Sequence, residues 1–250
     1  MTSRYDTGPA WAAGPERVYR RLAAAALDLL PGNLRGAVVV DAGAGTGAAA
    51  SELRGRGART IALDTSASML RLAPPPAVVG DICRMPLRTN AADACVACLV
   101  LSHVDRPQAA LAELARVARR SVVATAFPAG AEHPVKQAAD AVLADWGYRA
   151  PDWYTKLKRE GEGRVGDPGK LATLARQAGL AAEVVAVRVG LDDLDAPALA
   201  GWRLGMAAVA TWLATLPPAT ADLVRAQTIA ALQPIPAPPL PLLILTARPK

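Results

Sequence analysis

Three carboxylates close three short apolar runs early in this 250-residue chain: Asp41 after Val38, Val39 and Val40, Asp64 after Ile61, Ala62 and Leu63, and Asp81 after Val78, Val79 and Gly80. Gly43, Gly45 and Gly47 follow the first of them at alternate positions. Short runs that are β-branched and closed by glycine read as buried parallel strands. Alternate glycines let the backbone turn tightly and approach a ligand where a Cβ would intervene. Residues 48–53 then read as a helix. Strand, glycine turn and helix in succession build a nucleotide pocket at the carboxyl ends of parallel strands.

The carboxylates narrow the nucleotide. Gly43-x-Gly45-x-x-Ala48, with Asp64 about 20 residues further on, also satisfies a loose dinucleotide fingerprint and its nicotinamide-dependent dehydrogenase reading. Three features oppose that reading. Asp41 stands two residues before the first glycine, where it can meet an ammonium group. Gly47 occupies a position where dinucleotide folds carry an apolar helix residue. Acidic tips also recur on three strands, which repels a pyrophosphate and suits a ligand presenting amine, hydroxyl and adenine amino groups. An Asp41 that only ties the loop to neighbouring amides is the competing reading at that position.

The elements needed to position these groups follow from periodicity. Residues 15–30 read as an amphipathic helix with Val18, Leu22, Ala26 and Leu29 on one face, Pro15 near its start and Gly32 past its end. Ser66 is placed to cap a short helix carrying Met69 and Leu70. The apolar run 94–101 predicts the central fourth strand, 107–118 a helix and 121–127 the fifth strand. The βαβαβ rhythm implies a parallel sheet with right-handed crossovers. Beyond it, 134–146 reads as a helix, 161–169 as a loop, and Asp167-Pro168 opens a helix to 179. A strand follows at 183–189, then one long amphipathic helix at 197–216 and another helix at 221–232. The proline-rich stretch 234–241 is a stiff connector, and 240–246 is the last strand.

Composition bounds the class. Hydrophobic residues make up 52% and aromatic residues only 4%, so Leu, Val and Ala must fill the core and any aromatic cluster carries information. The net charge of +6 comes mostly from Arg, but no basic run is interleaved with aromatics, so no nucleic-acid partner is expected. Cys95 and Cys98 have CxxC spacing inside a strand-like run, where they would face opposite sides. No second Cys or His pair completes a zinc site, so no metal is expected. The three cysteines read as buried small hydrophobes in a reducing compartment. No run approaches 18 apolar residues and residues 1–14 lack an apolar leader core, which predicts a cytoplasmic protein without a membrane partner.

The segments VVVDAGAGTG, IALDTSASML, GDICRMPL and LVLSHV, ordered and spaced over residues 38–104, resemble the successive motifs of class I S-adenosylmethionine-dependent methyltransferases. The chain is similar to their small-molecule branch. The resemblance implies an α/β, Rossmann-like, seven-stranded and mostly parallel sheet with the last strand antiparallel, helices on both faces, and a helical elaboration forming an acceptor pocket. It implies one domain over 1–250: a helical N-terminal lid (1–35), a cofactor-binding core (36–128) and pocket elaborations (129–180 and 195–235). The cofactor would be S-adenosyl-L-methionine, with S-adenosyl-L-homocysteine as product.

The resemblance also assigns roles. Asp41 meets the methionine amine, and Gly43, Gly45 and Gly47 pass under the ligand. Asp64 accepts both ribose hydroxyls, a bidentate task suited to a carboxylate. Thr65 and Met69 flank the adenine, although Met69 equally fits ordinary core. Asp81 accepts from the adenine amino group, the Ile82 amide donates to the ring, and Leu99 offers its carbonyl near the methionine amine.

Methyl transfer from a sulfonium is an in-line displacement, so holding the acceptor behind the methyl group is the main task. A phenol-like acceptor also needs a base. Of two histidines, His103 follows the fourth strand and is the candidate catalytic base, with a local positioning role as the competing reading. His133 is expected to be solvent-exposed. Tyr5 and Trp11 are candidates for a lid, and Trp153, Tyr154, Trp202, Arg203 and Met206 for the acceptor pocket, with core packing the alternative for Trp202 and Met206. The fourth strand leads into Leu101-Ser102-His103-Val104 rather than an Asn/Asp-Pro-Pro-Tyr tetrapeptide, which argues against base methylation in DNA. The expected acceptor is a small hydrophobic or aromatic molecule, such as a secondary metabolite or quinone-like compound, handled by a monomer or homodimer. Two alternatives keep the fold: a non-methylating cyclisation, rearrangement or decarboxylation, and a non-catalytic cofactor-binding subunit.

Overall fold

A computed structural model describes residues 5–250; residues 1–4 of the expected lid lie outside the described residues. Two helices open the chain, α1 (Gly8–Ala13) and α2 (Pro15–Leu27). The core then runs β1 (Val38–Ala42), α3 (Ala48–Gly55), β2 (Arg59–Asp64), α4 (Ala67–Leu70), β3 (Ala77–Val79), β4 (Ala92–Ala97), a 3-10 turn (Leu101–His103), α5 (Pro107–Val117) and β5 (Ala118–Ala126). Four helices follow, α6 (Pro134–Asp145), α7 (Asp152–Lys156), α8 (Glu162–Val165) and α9 (Pro168–Gln177), with a π-helical turn (Leu157–Gly161) between α7 and α8. The chain closes with β6 (Leu180–Val189), α10 (Ala196–Leu204), α11 (Ala207–Leu213), α12 (Pro218–Leu232) and β7 (Leu240–Pro249).

The seven strands form one sheet in the order β3-β2-β1-β4-β5-β7-β6. β1 pairs in parallel with β2 and β4, β2 with β3, and β4 with β5, whereas β7 runs antiparallel to both neighbours. The expected doubly covered sheet with a reversed last strand is what forms. Alternation along the strands feeds two cores. Val39, Val96, Val123 and Ile244 pack under α2, α3, α6, α10 and α12. Val40, Cys95, Val122 and Leu245 pack under α5 and α9.

Three expected boundaries are corrected. β4 ends at Ala97 rather than 101; Leu99 takes a left-handed φ of 57° and the chain turns into the 3-10 helix. The single helix expected over 197–216 is two, α10 and α11, broken at Gly205 and Met206. A Cβ on Gly205 would lie 2.3 Å from Pro15 Cδ and 2.5 Å from the Ala10 carbonyl oxygen, so the approach of the N-terminal helices breaks a stripe that is apolar throughout. Finally, 161–169 is not a loop: it continues the π turn into α8 and then enters α9, which Asp167 caps by accepting from the Lys170 amide. Gly161 serves close packing, since its Cβ would sit 2.2 Å from the Ser102 carbonyl oxygen.

Candidate functional site

The glycine turn leaves β1 at the carboxyl edge of the sheet and is sewn to its neighbours. The amides of Gly43 and Ala44 both donate to the Leu63 carbonyl at the end of β2, at 2.7 and 2.9 Å. The Gly45 amide donates to Asp64 Oδ2 at 2.9 Å, and Thr46 Oγ1 donates to Glu16 Oε2 on α2 at 2.7 Å. Gly43 has φ 77° and its Cβ would lie 2.4 Å from Val100 Cγ2. The turn is thus clamped between β2 and the exit of β4.

Each carboxylate is held by backbone amides. Asp41, 1% exposed, accepts from the Ala50 amide in the first turn of α3 at 2.9 Å. Burial pushes its carboxyl up to about 7; the Ala50 amide opposes the shift and the Asp64 charge adds to it. Asp64 accepts from Gly45 with one oxygen and from the Ser66 amide with the other, at 2.8 Å, leaving each oxygen lone-pair capacity for a further donor. Ser66 caps α4 as expected, accepting from the Met69 amide. Asp81 Oδ1 accepts from the Cys83 amide at 2.8 Å.

These groups open onto one cavity of about 590 Å³, within the size range of small-molecule sites. Asp41, Gly43, Gly45, Asp64, Thr65, Met69, Asp81, Ile82 and Leu99 line it. Gly47 does not: it is the left-handed residue before α3, and its Cβ would meet Pro74 Cδ at 2.5 Å. The Leu99 amide donates to Thr125 Oγ1 at 2.9 Å, which holds the turn after β4 over the glycines.

The rest of the cavity is aromatic. His103 Nδ1 and the Tyr5 hydroxyl share a hydrogen bond of 2.7 Å. Edge-to-face contacts join Tyr5 to His103, Tyr5 to Trp153 and Trp153 to Tyr154, with centroids 5.4, 5.9 and 5.8 Å apart. The N-terminal segment, the exit of β4 and α7 therefore meet in one roof. Trp11 stacks at 4.7 Å on Tyr19, whose hydroxyl faces Met206 Sδ at 3.9 Å; all three line the cavity. Burial, then the Tyr154 and Glu162 charges, hold the Tyr19 phenol far above its ordinary range.

Other candidates fall elsewhere. Trp202 is fully buried and Arg203 pairs with Asp140; both stand behind the wall, Arg203 lying 5.8 Å from the Tyr154 ring. His133 is not solvent-exposed: it is 5% exposed, packs edge-on to Trp202 and hydrogen-bonds the Pro238 carbonyl through Nε2. Burial lowers its pKa. Of the cysteines, Cys95 is buried, whereas Cys83 and Cys98 reach the cavity. Burial raises all three thiols, which disfavours the thiolate form. Tyr19, Phe127, Lys136, Lys158 and Glu162 also line the cavity and were not singled out by their spacing. None carries a local sequence signature that sets it apart.

Among the described residues no group of three or more His, Cys, Asp or Glu is placed to hold a metal, and no helix is long and apolar enough to cross a membrane.

Residues 40–124 match the family described as a methyltransferase domain. Over 123 residues the chain is 37% identical to a demethylmenaquinone methyltransferase of Mycolicibacterium paratuberculosis, an alignment covering 48% of this chain and 52% of that protein. The chain thus spans about half the length of the curated relatives it matches. Its fold is similar to that of a Haloferax volcanii putative methyltransferase complexed with the Trm112 methyltransferase activator (TM-score 0.59, 20% identity, all of both chains). It is also similar to a putative methyltransferase from an antibiotic biosynthesis pathway of Anabaena variabilis (TM-score 0.55, 18% identity, 90% of this chain and 96% of that one).

Proposed function

Given a methyltransferase domain of the class I fold at residues 40–124, we propose that the protein transfers a methyl group from S-adenosylmethionine to a small aromatic, quinone-like acceptor in secondary metabolism. The observation that carries this reading is that one cavity joins the two chemistries: amide-held carboxylates and a glycine turn form one part of its wall, aromatic rings the other. Relatives matched over about half their length are named demethylmenaquinone methyltransferases, which supports a quinone-like class. Three unpaired cysteines fit a reducing cytoplasm.

The residues present fit the cofactor. Asp64 has lone pairs left that would take two ribose hydroxyls, Asp41 would meet the methionine ammonium and Asp81 the adenine amino group, and the Ile82 amide and Leu99 carbonyl would serve the ring and the amine. Thr65 and Met69 would flank the adenine. When bound, the cofactor supplies an electrophilic methyl on a sulfonium. This chain's part is to orient the acceptor under Tyr5, Trp11, Trp153, Tyr154 and Met206, to exclude water beneath that roof, and to hold a proton at His103. Trp202 and Arg203 support the pocket from behind. Calorimetry with S-adenosylhomocysteine tests the reading; absence of binding defeats it.

Two expected results follow from the site. Because the folded pKa of Asp41 lies near 7, above its ordinary 3.8, the free fold loses stability as pH rises through that range. An ammonium placed against Asp41 reverses the shift, so cofactor binding near pH 6 releases close to one proton, and the release fades toward pH 9. Titration in buffers of different ionisation enthalpy measures this, and Asp41→Asn abolishes it. His103→Gln lowers kcat by roughly 10²-fold or more, as expected for a lost base, while leaving S-adenosylhomocysteine affinity unchanged. A change under about threefold would assign His103 to positioning instead.

A further inference from the structure

Three cations and two carboxylates meet where α6, α8 and α10 back the aromatic roof. Lys158 Nζ donates to Glu162 Oε1 at 2.5 Å, and Arg203 Nε donates to Asp140 Oδ1 at 2.5 Å. Each carboxylate already holds another cation. Lys136, in the first turn of α6, is left over: none of the hydrogen bonds or ion pairs among the described residues involves its ammonium. It lies instead over the rings of Trp202 and Phe127, 4.8 and 5.3 Å from their centroids, and it lines the cavity.

The ring faces attract this ammonium, but it holds no hydrogen-bonded anion and keeps its N–H donors free for one. Burial, then Lys158 and Arg203, bring its pKa down to about 8, with Glu162 and Asp140 pulling the other way. The cavity is thus polarised. Asp41, Asp64 and Asp81 make one part acidic, suited to a cationic donor, and an excess positive charge marks the acceptor part.

We propose that Lys136 Nζ binds an ionised oxygen of the acceptor, a carboxylate or phenolate carried on a ring system seated among Phe127, Trp153 and Tyr154. This rests on the methyltransferase reading and narrows its acceptor to acidic aromatics. Lys136 sets specificity; the anchored oxygen need not be the methylated atom.

The test titrates 2-naphthoate, 2-naphthol and neutral 2-naphthamide into the full chain saturated with S-adenosylhomocysteine. Wild type prefers an acidic probe over the amide by about tenfold or more, the order of one charge-assisted contact. Lys136→Met erases that preference while keeping S-adenosylhomocysteine affinity, and Lys136→Arg retains part of it. Whether naphthoate or naphthol gains identifies the oxygen.

In wild type, naphthoate affinity falls about tenfold between pH 7 and 9.5 as the ammonium is lost. The other groups facing this part of the wall are Lys158, Glu162, Asp140, Arg203, His133 and Tyr154, and Lys158→Met, which removes a neighbouring positive charge and frees Glu162, moves that fall to higher pH without abolishing it. A wild type that does not prefer either acid, a preference that survives in Lys136→Met, or a flat pH profile overturns the inference. Loss of S-adenosylhomocysteine binding in wild type would instead overturn the methyltransferase reading itself.

Discussion

Asp64→Ala weakens S-adenosylhomocysteine binding by at least about 100-fold. The carboxylate holds the Gly45 and Ser66 amides at 2.9 and 2.8 Å, so it sets both the glycine turn and the start of α4. In the proposed complex it also accepts two ribose hydroxyls. Hydrogen bonds to a charged group contribute about 1.5–3 kcal/mol each, so losing two corresponds to roughly 10²- to 10⁴-fold in affinity. Asp64→Asn gives an intermediate loss, because its one carbonyl oxygen serves one amide and its NH2 opposes the other. Calorimetry on variants with unchanged circular dichroism checks this. An Asp64→Ala affinity within threefold of wild type would remove Asp64 from the cofactor site.

Gly43→Ala destabilises the fold by about 2–5 kcal/mol. A left-handed backbone costs an L-residue roughly 1–2 kcal/mol, and overpacking a filled site about 1–3 more. Both apply, because φ is 77° and the new Cβ would lie 2.4 Å from Val100 Cγ2. Gly45→Ala is the contrasting case. There φ is also left-handed at 55°, but the nearest atom is the flexible Met69 Cε at 3.3 Å, so the fold loses only the backbone cost of about 1–2 kcal/mol and the methyl group crowds the cavity wall instead. Urea midpoints separate the pair from cofactor affinities. A Gly43→Ala loss below about 1 kcal/mol would mean that Val100 moves aside freely.

What was legible in the sequence had a local cause. The glycine turn, its flanking carboxylates and the Ser66 cap depend on backbone geometry that a few neighbouring residues dictate, and the parallel pairing of the first strands follows from the βαβ rhythm. The second half depends on distant packing. Glycines at 161, 163 and 166 look like a loop, yet Gly161 is small because the π-helical turn must press against Ser102. The apolar stripe across 197–216 runs through Gly205 without interruption, and only the approach of Pro15 and Ala10 breaks the helix there. His133 looked like a surface residue because the Trp202 ring and the Pro238 carbonyl that bury it come from far along the chain. Lys136 left no trace in spacing: a lone lysine near a helix start is unremarkable until both nearby carboxylates prove to hold other cations.

The reversed strand also bears on how the molecule is made. β6 pairs with β7 alone, over ten consecutive positions from Leu180 opposite Pro249 to Val189 opposite Leu240. During synthesis β6 therefore emerges with no place in the sheet, and all of residues 190–239 must follow before its partner exists. β5 waits equally for its outer neighbour. The donor half, β1 to β5, can assemble while the ribosome is still working. The acceptor half closes only when β7 slides between two strands already made, a long loop closure that places the slow step of folding at its end.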